Sequence, residues 1–364
     1  MIFLLHKQFL VSLLSFSSLP SQLVQFNDSF FFFEFDLEYL TRVMFRLGIL
    51  LVLVLQNTAL VIMLRISRLN MKTPYAASTA VLVGEILKTL VCLAMIVKTQ
   101  KGPLMNTLYI HSLGNIPDLL KLAVPALLYL VQNNLQFVAI SNLEPGPYQV
   151  LYQFKIFTTA ILSVVILGKS LNSRHWFGLC ALFMGVVLVQ ISNSTTKKKD
   201  SEVGNAYIGF LSVMVAVCCS GMSSVWFEKV LKSSSVSLWI RSWQLSSISV
   251  LLGLISVAWN DFTAIQEEGF FYGYTPTVWC VILLQSAGGI IVALVVKYAD
   301  NIVKGFACSL ATILSTIASY FLFHFIPSPL FLMGATAVLC SVFIYNSGFD
   351  VQKKITKAIS NSAV

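Results

Sequence analysis

Residues 132–168 read QNNLQFVAISNLEPGPYQVLYQFKIFTTAILSVVILG. The stretch opens on the amides Gln132, Asn133, Asn134 and Gln136, which fall at the end of an apolar run. A short turn follows, with Glu144, Pro145, Gly146 and Pro147. A second apolar run then begins with Tyr148 and Tyr152 and carries Lys155 inside it. A helix needs about 20 mostly apolar residues to cross a bilayer, so both runs predict membrane-spanning helices. A lysine within such a helix costs about 2.5–3.5 kcal/mol on insertion scales, and residues of this kind mark function. The question set by this stretch is which anion Lys155 faces.

Outward from it, the chain has the same character. Of its 364 residues, 57% are hydrophobic and only 11% charged, and the mean hydropathy is +0.82. Soluble domains carry about 25% charged residues. The fold class is therefore an all-α polytopic membrane protein. The net charge of +9 does not indicate nucleic acid, because the basic residues cluster in loops and at span ends, where they anchor helices. The seven cysteines lie in apolar segments without disulfide or metal-ligand spacing and read as packing residues. The histidines, His6, His111, His175 and His324, are scattered, and no catalytic motif is present. The chain reads as a non-enzyme with no metal and no cofactor.

Ten segments have membrane length: roughly 47–64, 75–97, 119–140, 147–167, 176–191, 206–227, 238–257, 277–296, 303–325 and 330–345. An even number puts both termini on one side. Alternate loops carry Arg42 and Arg46, Lys98 and Lys101, Lys169 and Arg174, Lys229 and Lys232, Lys297 and Lys304, with Lys353, Lys354 and Lys357 in the tail. The opposite loops carry Arg65, Arg68, Lys72 and the run 197–199, and are otherwise acidic or neutral. The richer set marks the cytosol, which makes both termini cytosolic. Residues 1–41 read as an N-terminal extension without a signal-peptide pattern. Helices one to five then occupy 42–192, a lumenal linker 193–205, helices six to ten 206–347 and a cytosolic tail 348–364. Asn193-Ser194-Thr195 in the linker is a sequon close to a helix end.

A faint internal echo divides the chain. Lys155-Ile156-Phe157 in span four matches Lys304-Gly305-Phe306 in span nine, and Phe183-Met184-Gly185 in span five matches Leu332-Met333-Gly334 in span ten. Both pairs are five spans apart. Two five-helix halves must lie in opposite orientation, and inverted repeats place a substrate site near the bilayer midplane between them.

Tyr148, Tyr152, Lys155 and Thr159 are spaced to share one helical face. Two phenols, a cation and a hydroxyl suit a ligand with a flat ring, several hydroxyls and a phosphate. Glu85 is the one deep acid able to compete for Lys155, and Lys88, three residues on, neutralises it. Buried amides at Gln132 and Asn133 serve either interhelix bonding or recognition of a base or sugar. Ser220 and Gly221 are small residues that let helices pack closely, or let a ligand approach the backbone. Asp300 and Lys304 form either a simple interfacial i,i+4 ion pair, or Lys304 is a second phosphate cation. Trp226, Glu228, Lys229 and Arg241 read as interfacial anchors.

The blocks QNN (132–134), SNL (141–143), YQVLYQFK (148–155), FEKVLK (227–232), WIR (239–241) and KYADNIVKGF (297–306) occur in that order on these helices. In them the chain resembles the Golgi nucleotide-sugar transporters of the drug/metabolite transporter superfamily. It is most similar to the branch carrying UDP-N-acetylglucosamine and UDP-galactose, and GFFYGY (269–274) points the same way. The resemblance implies ten helices in two inverted five-helix repeats. It also implies import of a UDP-sugar into the Golgi lumen in exchange for UMP. Lys155 and Lys304 match lysines that contact phosphate. Tyr148, Tyr152, Gln132, Asn133 and Tyr129 match the cavity wall, with Ser220 and Gly221 beside it, and Glu85 and Lys88 match a pair that shapes the sugar end. The implied partners are the UDP-sugar, UMP and the bilayer, with a homodimer or association with glycosyltransferases as the protein partners. Departures are the turn EPGP (144–147) where relatives have DAAT, Trp226 for tyrosine, Ser224 for glycine, and Ser242 and Trp243 for asparagine and isoleucine. Three alternatives stand beside this reading: a carrier of CMP-sialic acid, a carrier of another small anion, and a non-transporting scaffold for glycosyltransferases.

Overall fold

The computed structural model describes residues 37–69, 75–99, 102–143, 145–194, 205–323 and 328–362. Those residues form helices and turns, with no strand among them. The helices are α1 (Leu37–Leu69), α2 (Ala77–Thr99), α3 (Leu104–Ile110), α4 (Ile116–Asn142), α5 (Pro145–Tyr152), α6 (Lys155–Leu167), α7 (Ser173–Ser194), α8 (Ala206–Lys232), α9 (Leu238–Asn260), α10 (Phe262–Glu268), α11 (Pro276–Tyr298), α12 (Asn301–Phe323) and α13 (Pro329–Ser362). Eight stretches are long and apolar enough to cross a bilayer. The apolar part of α13, Pro329–Tyr345, is shorter. The 27-residue α4 is roughly 40 Å long at 1.5 Å per residue and is not among the eight. The N-terminal extension lies largely outside the described residues, although α1 already begins at Leu37. Most of the 193–205 linker also lies outside them, while Asn193 and Ser194 form the end of α7.

Local chemistry sets the helix ends. Asn115 caps α4 by accepting from the Asp118 amide at 3.2 Å, Asn205 caps α8 through the Tyr207 amide at 3.0 Å, and Ser237 caps α9 through the Ile240 amide at 3.3 Å. Gly168, at φ 66°, ends α6 in the left-handed region that glycine adopts without strain, and so turns Lys169 back toward the bundle. Pro125 lies inside α4 and has no N–H, which leaves the Lys121 carbonyl without its helical donor. The indole Nε1 of Trp226 on α8 donates to that carbonyl at 2.8 Å. Trp226, expected as an anchor, thus repairs a defect in a neighbouring helix.

The helices pack in pairs. The most extensive contacts are α7 with α13, α4 with α8, α2 with α9, and α1 with α11; α6 with α8 and α1 with α12 follow. Small residues set the closest of these approaches. A Cβ on Gly185 would lie 2.9 Å from the Gly334 carbonyl oxygen, and one on Gly334 would lie 2.7 Å from that of Gly185. The two echoed Met-Gly steps therefore meet where α7 crosses α13. Leu179, Leu182, Val186, Phe306, Val338 and Tyr345 form the buried cluster around this crossing.

Candidate functional site

The second run of the opening stretch is not one straight helix. Gln153 and Phe154 separate α5 from α6, and their amides bond three residues back, to Val150 and Leu151, at 3.1 Å each. Ile156 and Phe157 do the same, to Gln153 and Phe154 at 3.0 Å. This tightened turn overwinds the helix immediately before Lys155, a geometry that often marks a hinge. The uniform helical face expected for Tyr148, Tyr152, Lys155 and Thr159 is thus corrected: the tyrosines stand on α5 and the other two on α6.

A cavity of about 270 Å³ lies between α6, α7, α8 and α12. Lys155 and Thr159 face it from α6, Ser220 from α8, and Asn301 and Lys304 from α12. Leu179, Leu182 and Val186 form an apolar wall on α7 that ends at Gln190. Among the described residues, no carboxylate lies within ion-pairing distance of Lys155 or Lys304. Two cations facing one poorly solvated cavity repel each other, and an anion between them removes that cost.

Behind Lys155 the predicted wall forms a chain of contacts. Lys155 Nζ stands 4.7 Å from the centre of the Tyr152 ring, a cation–π contact. Tyr152 stacks on Tyr148 with ring centres 5.9 Å apart, and its hydroxyl accepts from Gln132 Nε2 at 3.0 Å. Tyr129 lies on α4 one turn beyond Pro125, whose carbonyl accepts from the Ser223 hydroxyl on α8 at 3.0 Å. Gly221 is a packing position: a Cβ there would lie 3.0 Å from Thr158 Oγ1 and 3.2 Å from Leu162. Asn133 is exposed on α4 and does not line the cavity. Glu85 and Lys88 pair with each other at 2.5 Å on α2, also outside the cavity lining.

Sequence reasoning missed the cluster at the Asn301 end of the cavity. Glu228, read as interfacial, is completely buried. Its carboxylate meets Lys169 and Lys232, each at 2.9 Å, and accepts from the Asn301 backbone amide at 3.0 Å and side chain at 2.9 Å. Asp300 does not pair with Lys304: it reaches Lys169 at 3.4 Å and caps α12 through the Val303 amide at 2.8 Å. The clue was present in Glu228 and Lys232, four residues apart, but that spacing is equally that of a surface pair. Arg241 is likewise no surface anchor. It is 2% exposed and bridges to both oxygens of Asp118, at 2.6 and 3.1 Å, and to Ser234 at 2.8 Å. Ser242, next to it, is buried with its hydroxyl unpartnered among the described residues.

Residues 41–346 match the family model described as nucleotide-sugar transporter. The chain is 44% identical over 312 residues to a UDP-galactose translocator of Bos taurus, covering 85% of this chain and 79% of that protein. It is 43% identical over 307 residues to a UDP-N-acetylglucosamine transporter of Rattus norvegicus, covering 82% of this chain and 94% of that protein. A solved crystal structure with 12% identity superposes with a TM-score of 0.58 over 82% of this chain and 95% of its own, which is a likeness of fold.

Proposed function

The chain belongs to the nucleotide-sugar transporter family, and from that premise we propose that it imports a UDP-sugar into the Golgi lumen in exchange for UMP. The cargo is UDP-N-acetylglucosamine, UDP-galactose or both. The observation that carries the reading is the pair of lysines, Lys155 and Lys304, facing one cavity with no carboxylate of the described residues beside them. UMP bears about two negative charges at neutral pH, given a second phosphate pKa near 6. The diphosphate of a UDP-sugar also bears roughly two. One pair of cations therefore serves both cargoes, and the empty, repelling pair resists crossing between faces. That resistance couples inward to outward movement.

The ligand wall in this reading runs from the lysines along Tyr152, Tyr148 and Gln132, with Tyr129 and Ser220 beside it. Glu85 and Lys88 stand toward the sugar. The pattern of helix contacts supports two inverted halves of five spans. Span four is α5 with α6; the other spans are α1, α2, α4, α7, α8, α9, α11, α12 and α13. Exchanging the halves turns the α1–α11 contact into α8–α4 and the α1–α12 contact into α8–α6, and returns α2–α9 and α7–α13 to themselves. Inverted repeats of this kind work by rocking one half against the other around a fixed site. Glu228 supplies a closure for one face, because its bonds to Lys169 and Asn301 join three segments at one end of the cavity. With ten spans both termini lie in the cytosol, and this closure is on the cytosolic side.

The test is uptake of a panel of labelled nucleotide sugars into liposomes that hold the purified protein and are preloaded with UMP, CMP or GMP. UDP-sugar uptake driven by UMP is the expected result. Preference for CMP-sialic acid with CMP inside, or no uptake at all, contradicts it.

A further inference from the structure

Two buried glutamines share an arrangement. Gln132 Nε2 donates to the Tyr152 hydroxyl, and Gln56 Nε2, on α1, donates to the Leu284 carbonyl on α11 at 3.0 Å. In each, the side-chain oxygen is buried with no partner among the described residues. Gln56 is only 8% exposed, so water does not readily serve that oxygen. A buried acceptor left unpaired is costly, and a group retained in that state asks for a donor from elsewhere.

The surroundings of Gln56 narrow the donor. A Cβ on Gly288 would lie 2.5 Å from Gln56 Nε2, and one on Gly289 would lie 2.9 Å from Lys88 Cδ. Two successive positions without side chains on α11 thus leave room for Gln56 from α1 and for Lys88 from α2, and Lys88 is paired with Glu85. The neighbouring Asn57 reaches Cys308 Sγ at 3.5 Å, and Cys308 lines the cavity that holds both lysines. The α1–α2–α11 face therefore offers an amide oxygen, a carboxylate and an ammonium group. The α4–α5 face offers two stacked phenol rings. Stacked rings suit a flat base; a cluster of hydrogen-bonding groups suits a sugar, whose hydroxyls both donate and accept.

Resting on the UDP-sugar reading above, we propose that Gln56 is a sugar-reading residue whose Oε1 accepts a hydrogen bond from the hexose of the cargo. UMP has no hexose. Gln56 therefore distinguishes the two legs of the exchange, whereas the lysines serve both.

The test compares two transport modes in the same liposomes: UMP-for-UMP self-exchange, and UDP-sugar uptake against internal UMP. Gln56→Met keeps the volume and removes the acceptor. It is expected to raise the KM for UDP-sugar roughly ten-fold, the ordinary size of one lost hydrogen bond to a buried group, with self-exchange kept within about two-fold. Gly288→Ala, whose methyl displaces the Gln56 amide without altering its chemistry, is expected to shift the same mode. Equal loss of both modes in both variants makes Gln56 a packing residue and overturns the proposal, as does unchanged uptake in Gln56→Met. Failure of the unaltered protein to exchange UMP at all is a separate outcome, which overturns the UDP-sugar reading itself and this proposal with it.

Discussion

A lysine buried within a span or at its end must be compensated, and five lysines here are compensated in two ways. Lys88, Lys169 and Lys232 have carboxylates within 3 Å, at 2.5, 2.9 and 2.9 Å. Lys155 has the Tyr152 ring, and Lys304 the polar wall of a cavity. A charge-assisted hydrogen bond contributes about 1.5–3 kcal/mol, which corresponds to roughly ten- to hundred-fold in affinity. Lys155→Ala and Lys304→Ala should each therefore slow UDP-sugar-for-UMP exchange at least ten-fold, and the self-exchange of UMP with it, measured in liposomes at matched protein content. Lys88→Ala should act differently: it strands Glu85, so loss of thermal stability in detergent accompanies any loss of transport. The cost of a lysine within an apolar run is readable from composition alone, which made Lys155 legible in sequence; Lys304, at the start of its span, stayed open between an ion pair and a second cation until the structure placed Asp300 elsewhere. The burial of Glu228 was not, because its partners Lys169 and Asn301 are distant in the chain and its near partner, Lys232, has the spacing of an ordinary surface pair.

At the scale of elements, the tightened turn at Gln153 and the left-handed Gly168 bracket α6 and set Lys155 and Lys169 at its two ends. Lys155 faces the cavity, and Lys169 holds Glu228 and Asp300 together. Glu228→Gln keeps the shape but weakens the ionic joint between the α6–α7 turn, α8 and α12. Cys308, which lines the cavity, reports on that change. A membrane-impermeant maleimide added from the cytosolic side should modify Cys308 several-fold faster in the Glu228→Gln protein than in the unaltered one, read by peptide mass spectrometry. Equal rates would mean that the cluster holds the fold without closing the cavity. The α7–α13 crossing admits no side chain at Gly185, where a Cβ would already lie 2.8 Å from Val338. Gly185→Leu should lower stability by more than the roughly 1–3 kcal/mol of ordinary overpacking, seen as a fall in melting temperature. Sequence gave the glycines and the Met-Gly echo, but not that the echoed steps touch, since contact between distant helices leaves no local periodicity. The bond from Trp226 to the Lys121 carbonyl was hidden for the same reason, although Pro125 announced that some carbonyl on α4 needed a donor.

For the whole molecule, the all-helical membrane architecture was legible because bilayer thickness dictates span length and composition reports it directly. The pairing of spans became visible only in the structure, where exchanging the two sets of helices maps one set of contacts onto the other. Lys155 on α6 and Lys304 on α12 face one cavity, and in the proposed exchange they form a single anion site that either face loads. In the proposed exchange this site must be occupied for the protein to cross between faces. That requirement is tested most directly by uptake of labelled UDP-sugar into liposomes with and without internal UMP, run side by side for the unaltered protein and the Lys155→Ala/Lys304→Ala double variant. Rapid uptake is expected only with UMP inside and only in the unaltered protein. Uptake at the same rate into empty liposomes, or normal exchange by the double variant, would contradict it.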